Sequence, residues 1–172
     1  MIKNIIFDFD GVLIDSEILV AKAFCQYLKN KNILFSEEEF AIYAGKKTAQ
    51  VVEELSDKFN IKDQESFFND IMNIANNIYS KDLSPVIGAK KFLEESNYNY
   101  LIGSNSMKKR IIFGLKKVNF ESFIKEENIF SFDMVDKPKP SPDIYISAIN
   151  TCNLDKKETI IIEDSAVGVQ AG

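Results

Sequence analysis

The chain predicts an α/β fold: a parallel sheet flanked by helices, with an all-helical segment inserted after the first strand. Three observations carry this. Four short apolar runs read as strands: Ile5-Ile6-Phe7, Tyr100-Leu101-Ile102-Gly103, Ile129-Phe130-Ser131-Phe132 and Thr159-Ile160-Ile161-Ile162. The later runs are separated by stretches of helical spacing, the pattern of βαβ units. Between the first and second strands, residues ~15–80 carry helical periodicity only.

The first strand is expected over residues 4–10. Asp15-Ser16 offers an N-cap, because either side-chain oxygen can accept from an orphan helical N–H, and Val20, Phe24 and Leu28 follow at helical spacing. Ser36-Glu37-Glu38-Glu39 reads as a capping box flanked by Phe35 and Phe40 as a hydrophobic staple, with Gly45 as the stop. Val51, Val52, Leu55 and Phe59 mark the next amphipathic helix, and Phe67, Ile71, Ala75 and Ile78 the one after. Ser84-Pro85 breaks the helical run. Phe92 and Leu93 then lie on a short helix, Ile111, Ile112 and Leu115 form a helix face, and Pro138, Pro140 and Pro142 stiffen a loop before a helix carrying Ile144, Ala148 and Ile149. The α/β core is therefore expected over residues 1–14 and 83–172, and the helical insertion over 15–82.

Bulk composition narrows the chemistry. With 172 residues, 45% hydrophobic and 27% charged, the chain can bury a real core. A net charge of −5 disfavours nucleic acid or an anionic membrane as partner. No apolar stretch approaches the ~20 residues of a membrane helix. The chain holds no histidine, so His-based triads and His-ligated metals are excluded. Cys25 and Cys152 form no C-x-x-C pair, which suits thiols in a reducing cytoplasm.

The unusual polar clusters follow predicted strands: Asp8/Asp10 the first, Ser104/Asn105 the second, Glu163/Asp164 the last. Ligands of open α/β sheets bind outside the carboxyl ends of the strands, so this geometry would gather the clusters. Taken singly, each has a plain structural explanation: a turn at Asp8-Phe9-Asp10-Gly11, helix caps at Ser104-Asn105-Ser106 and Glu163-Asp164-Ser165, a solvated lysine at Lys139. Taken together they point to chemistry. Four carboxylates in one small site repel by about 4 kcal/mol per close pair at an effective dielectric near 20. Lys139 alone cannot offset that, and an all-oxygen donor set suits Mg²⁺. On this reading Asp8 is a nucleophile toward phosphorus, and Asp10 protonates the leaving oxygen and then deprotonates water. Ser104 and nearby backbone N–H groups hold phosphate oxygens, Lys139 neutralises the transferring group, and Asp164, supported by Glu163, completes the metal site.

In this order, Asp8-Phe9-Asp10-Gly11-Val12-Leu13-Ile14-Asp15-Ser16-Glu17, Ser104-Asn105-Ser106, Lys139-Pro140-Ser141-Pro142-Asp143 and Glu163-Asp164-Ser165 with Gly168 resemble the four motifs of the haloacid-dehalogenase-like hydrolase superfamily. The similarity lies with its phosphatase and β-phosphoglucomutase-like branch and spans essentially the whole chain. It implies a Rossmann-like core, a helical cap inserted after motif one, and Mg²⁺-dependent phosphate transfer through an aspartyl-phosphate on Asp8. It also implies a metal set of Asp8, Asp10 (through its carbonyl), Asp164 and Glu163, and substrate contacts at Asn105, Gly11 and the cap-loop Lys47. A closing cap favours small substrates.

The resulting expectation is a cytoplasmic phosphatase, a monomer or weak homo-oligomer, acting on a small phosphorylated metabolite such as a sugar or polyol phosphate. The presence of Asp10 argues against dehalogenation. The absence of histidine disfavours the alternative, a phosphomutase, many of which carry a cap-side histidine soon after motif one. A binding protein or inactive remnant on the same fold is a third reading. It is prompted by the stop at Gly172, where members of the superfamily usually continue through another strand and helix. On that expectation the chain is a fragment, its last helix is short and one sheet edge is exposed.

Overall fold

The computed structural model describes every residue of the chain except 44, 45 and 47. The expected helix stop at Gly45 and the expected substrate contact Lys47 lie outside the described residues. The chain divides into two compact units, residues 1–15 with 84–172, and residues 16–83.

The first unit is built on a parallel sheet of β1 (Asn4–Phe7), β2 (Asn99–Ser104), β3 (Ile129–Ser131) and β4 (Thr159–Ile162), in the order β3-β2-β1-β4. Helices α5 (Ala89–Glu95), α6 (Lys108–Lys117), α7 (Asp143–Thr151) and α8 (Ala166–Ala171) accompany it. β1 and β2 are buried almost throughout, which is why they read as continuous apolar runs instead of alternating ones. Ile6, Leu101, Phe130, Ile144, Tyr145 and Ala148 share one core cluster that joins sheet to α7. β4 pairs with β1 and forms an edge of the sheet, and Ile160 on it remains 38% exposed.

Register decides which strand ends meet. Phe7 is level with Ile102 of β2 and with Ile162 of β4. The residues that follow, Asp8 and Glu163, are therefore neighbours, and the ladder continues one step as Asp8 N–H donates to the Ile162 carbonyl at 2.9 Å. Successive strands step from β1 to β2 to β3, and the chain then returns to the far side of β1 for β4. The order reverses at β1, and such a switch point opens a crevice at the carboxyl ends.

Three boundaries differ from expectation. β1 ends at Phe7, because Phe9 turns back to accept from the N–H groups of Leu13 and Ile14 at 3.1 Å each. β3 ends at Ser131, where residues 132–134 close into a 3₁₀ turn. The position before α6 is Met107, so Ser104 and Ser106 are not its caps, and Ser104 Oγ instead accepts from Ser106 N–H at 3.1 Å.

The second unit is helical: α1 (Glu17–Asn30), α2 (Glu37–Phe40), α3 (Thr48–Phe59) and α4 (Gln64–Asp82). The capping box forms, with Ser36 and Glu39 each bonding the other's backbone N–H. Ser16 precedes α1 without a side-chain cap bond. Phe24, Tyr27, Leu28, Leu55, Phe67 and Ile71 fill this unit's core. Phe67 stacks on Tyr27 at 4.4 Å and meets Phe24 edge-on at 5.8 Å. Among the described residues, no helix is long and apolar enough to cross a membrane. Cys25 and Cys152 are free thiols, and burial pushes both above the ordinary thiol range.

Candidate active site

Asp8, Asp10, Ser104, Asn105, Ser106, Lys139, Ser165 and Val167 line one cavity of about 170 Å³ at the carboxyl ends of the strands. Larger cavities exist, about 550 Å³ within the helical unit and about 620 Å³ along β4 and α7. Neither contains Asp8, Asp10, Ser104 or Lys139, which meet in the small one. The small cavity suits a compact polar group better than a drug-sized ligand, which needs roughly 300–1,000 Å³.

Lys139 is the centre of the charge arrangement. Its Nζ donates to Asp8 Oδ1 at 2.8 Å and to Glu163 Oε1, and only 2% of its side chain is exposed. The plain reading of a solvated lysine does not hold. Asn105 places it: its Oδ1 accepts from the Lys139 N–H at 2.9 Å and its Nδ2 donates to the Lys139 carbonyl at 3.2 Å. The loops after β2 and before α7 are thus stitched together by the residue assigned above to substrate.

Glu163 is held on both oxygens. Oε1 accepts from Lys139 and from the Tyr145 hydroxyl at 2.6 Å, and Oε2 accepts from Ser165 N–H at 3.3 Å and Ser165 Oγ at 3.1 Å. Burial pushes Glu163 upward, but the hydrogen bonds from Lys139 and Tyr145 and the lysine charge outweigh it and hold the carboxyl below its ordinary range. Gly168 makes this possible, since a Cβ there would stand about 2 Å from the Glu163 carboxylate. Ser165 also caps α8, accepting from Gly168 N–H at 3.1 Å.

Asp8 behaves oppositely. Burial pushes its carboxyl up to about 6, against the opposing charge and hydrogen bond of Lys139. Asp164, an exposed residue, is raised as well, by partial desolvation first and by the Glu163 charge. Carboxylate oxygens of Asp8, Glu163 and Asp164 all lie within 4.8 Å of one another. Three crowded carboxylates of oxygen-only chemistry, two of them reluctant to ionise, form a donor set that fits a hard divalent cation such as Mg²⁺.

The Asp10 carboxylate is not part of this trio. Oδ2 accepts from Ser106 Oγ at 2.5 Å and Oδ1 faces Arg110 Nη2 at 3.5 Å. Gly11, at φ +80°, lets the chain turn beside Asp164. Arg110 and Tyr145 are the residues that sequence reasoning passed over, and Ser106 was read only as part of a run. Arg110 had a visible signal: Lys108, Lys109 and Arg110 place three cations in the first turn of α6, where a helix dipole favours anions. Tyr145 had none, as it reads as one more apolar position on α7.

Residues 5–172 match the family model of the haloacid dehalogenase-like hydrolases. The chain is 21% identical to 6-phosphogluconate phosphatase of Escherichia coli (strain K12), over 99% of this chain and 78% of that protein. It is 23% identical to phosphorylated carbohydrates phosphatase of Thermotoga maritima, over 98% of this chain and 79% of that protein. Among solved structures, a haloacid dehalogenase-like protein from Agrobacterium tumefaciens str. C58 superposes with a TM-score of 0.85 at 26% identity, covering 99% of this chain and 78% of that one. Motif order, strand-end chemistry and these likenesses converge: the chain belongs to the haloacid dehalogenase-like hydrolase family.

Proposed function

We propose that the protein is a phosphatase that hydrolyses a small phosphorylated metabolite, a sugar or polyol phosphate, through an aspartyl-phosphate on Asp8. The observation that carries this reading is the strand register that sets Asp8 beside Glu163, with Lys139 bonded to Asp8 and with Asp8, Lys139, Ser104 and Asp10 lining one cavity of about 170 Å³. The similarity to phosphatases of 6-phosphogluconate and of phosphorylated carbohydrates supports the substrate class.

In the first step an Asp8 oxygen bonds to phosphorus as the phosphorus–ester oxygen bond breaks. The leaving oxygen keeps the electron pair and takes a proton from Asp10, so an alcohol departs. In the second step Asp10 takes a proton from water, the water oxygen bonds to phosphorus, and the Asp8–phosphorus bond breaks. Phosphate leaves and the Asp8 carboxylate is restored. Lys139 and the Ser104 hydroxyl offset charge on the transferring oxygens, and the backbone at Gly11 and the amide of Asn105 border them. Asp8 and Asp164, supported by Glu163 and with the carbonyl of Asp10, would hold Mg²⁺, which supplies positive charge opposite the phosphoryl group when bound. Lys47 belongs to this proposal as a substrate contact.

The test is phosphate release from a panel of phosphorylated metabolites, with Mg²⁺ and with a chelator. Turnover should require Mg²⁺ and disappear in Asp8→Asn. Turnover by Asp8→Asn at the wild-type rate would end the proposal.

A further inference from the structure

We infer that Ser106 and Arg110 are positioning residues that hold the Asp10 carboxylate for proton transfer to the leaving oxygen, an inference that rests on the phosphatase reading above. The grip is two-handed: Ser106 Oγ donates to Oδ2 at 2.5 Å, and Arg110 Nη2 approaches Oδ1 at 3.5 Å. The two donors lie on opposite sides of the start of α6, Ser106 just before it and Arg110 in its first turn. The loop before α6 and the first turn of α6 therefore hold one carboxylate oxygen each, from 96 and 100 residues away in the chain. Asp10 needs such support, because it sits in the loop after β1 and not on the strand, and it stands outside the carboxylate trio that includes Asp8.

Two features argue that Arg110 is not there for stability. Its side chain is 36% exposed and that of Asp10 29%, the setting in which ion pairs contribute little to folding. It also shares the first helical turn with Lys108 and Lys109, where cations oppose the helix dipole. A cation placed against the helix dipole and pointed at a proton-transfer group is explained by what it positions. Misplacing a reacting group by about 1 Å can cost on the order of 100-fold in rate.

The reaction itself supplies the readout. In the first step the phosphorus–oxygen bond breaks and the leaving oxygen takes the Asp10 proton. A leaving group stable as an anion depends little on that proton, and a poor one depends on it heavily. The experiment measures kcat/KM with Mg²⁺ for 4-nitrophenyl, phenyl and 4-methoxyphenyl phosphate, in wild type, Arg110→Gln, Arg110→Lys, Ser106→Ala and Asp10→Asn, with circular dichroism melts confirming folding. The expected result is a loss at least about tenfold larger on the phenyl and methoxyphenyl esters than on the nitrophenyl ester. It should be greatest for Asp10→Asn, present in Arg110→Gln and Ser106→Ala, and partly recovered in Arg110→Lys. Folded variants that lose activity equally across the three esters, or not at all, overturn the inference while leaving the phosphatase reading intact. A wild-type protein that releases phosphate from none of the esters or the metabolite panel removes that reading, and the inference with it.

Discussion

Asp164 lies so close to the backbone of Gly11 that a β-carbon at residue 11 would stand 2.0 Å from Asp164 Oδ2. A turn inside the first motif and an acid of the last one are thus packed so closely that no side chain fits between them. Gly11→Ala meets two obstacles. Its backbone is at φ +80°, which costs an L-residue about 1–2 kcal/mol, and the new methyl displaces the carboxylate. Folding stability should fall by that amount, and the Mg²⁺ concentration for half-maximal phosphate release should rise about 10- to 100-fold. Magnesium titration of purified Gly11→Ala checks this, and an unchanged titration contradicts the packing.

Lys139 is the buried counter-charge of Asp8 and Glu163. Lys139→Met removes the cation and leaves two acids without it, so it should destabilise the protein by about 3–5 kcal/mol in urea unfolding. Lys91 pairs with Glu95 at 4.0 Å on the exposed face of α5, and Lys91→Met should change stability by less than ~1 kcal/mol. Equal effects of the two substitutions would contradict the burial of Lys139.

Burial pushes the Asp8 carboxyl of the folded chain up to about 6, above the ~3.9 of an unfolded aspartate. A raised folded value means the folded state binds the proton more tightly. The stabilisation is therefore complete below about pH 4 and is lost as pH rises through 6, a change of order 3 kcal/mol. The raised Asp164 acts in the same sense. Glu163, held low, acts in the opposite sense, its contribution present above ordinary carboxyl values and lost in more acidic solution. In chelating buffer the melting temperature should fall between pH 4 and 7. Asp8→Asn should flatten that fall, and Mg²⁺ at pH 7 should reverse it by binding the ionised form.

Phe67 is fully buried between Tyr27 and Phe24 in the helical unit. Phe67→Ala should cost about 3–5 kcal/mol through lost transfer energy and a cavity. Ser36→Ala removes half of the capping box and should cost about 1 kcal/mol. Urea denaturation of the two variants tests the order.

What could be read directly from the chain was whatever chemistry is local. β1 and β2 announce themselves because a strand buried on both faces must be apolar throughout, and Ser36 with Glu39 because a capping box spans four residues. The acids after Phe7 and Ile162 stood out for the complementary reason, that charge at the end of a buried run is costly without a task. Packing settled the rest. Lys139 is buried because its Nζ meets Asp8 from 131 residues away, and its place depends on the amide of Asn105 from another loop. Tyr145 reaches Glu163, and Arg110 reaches Asp10, only with β4 paired to β1 and α6 packed against β3. Residue spacing carries no record of such long-range meetings. Their geometry follows from strand register and helix packing, which belong to the whole folded unit and to no single stretch of it.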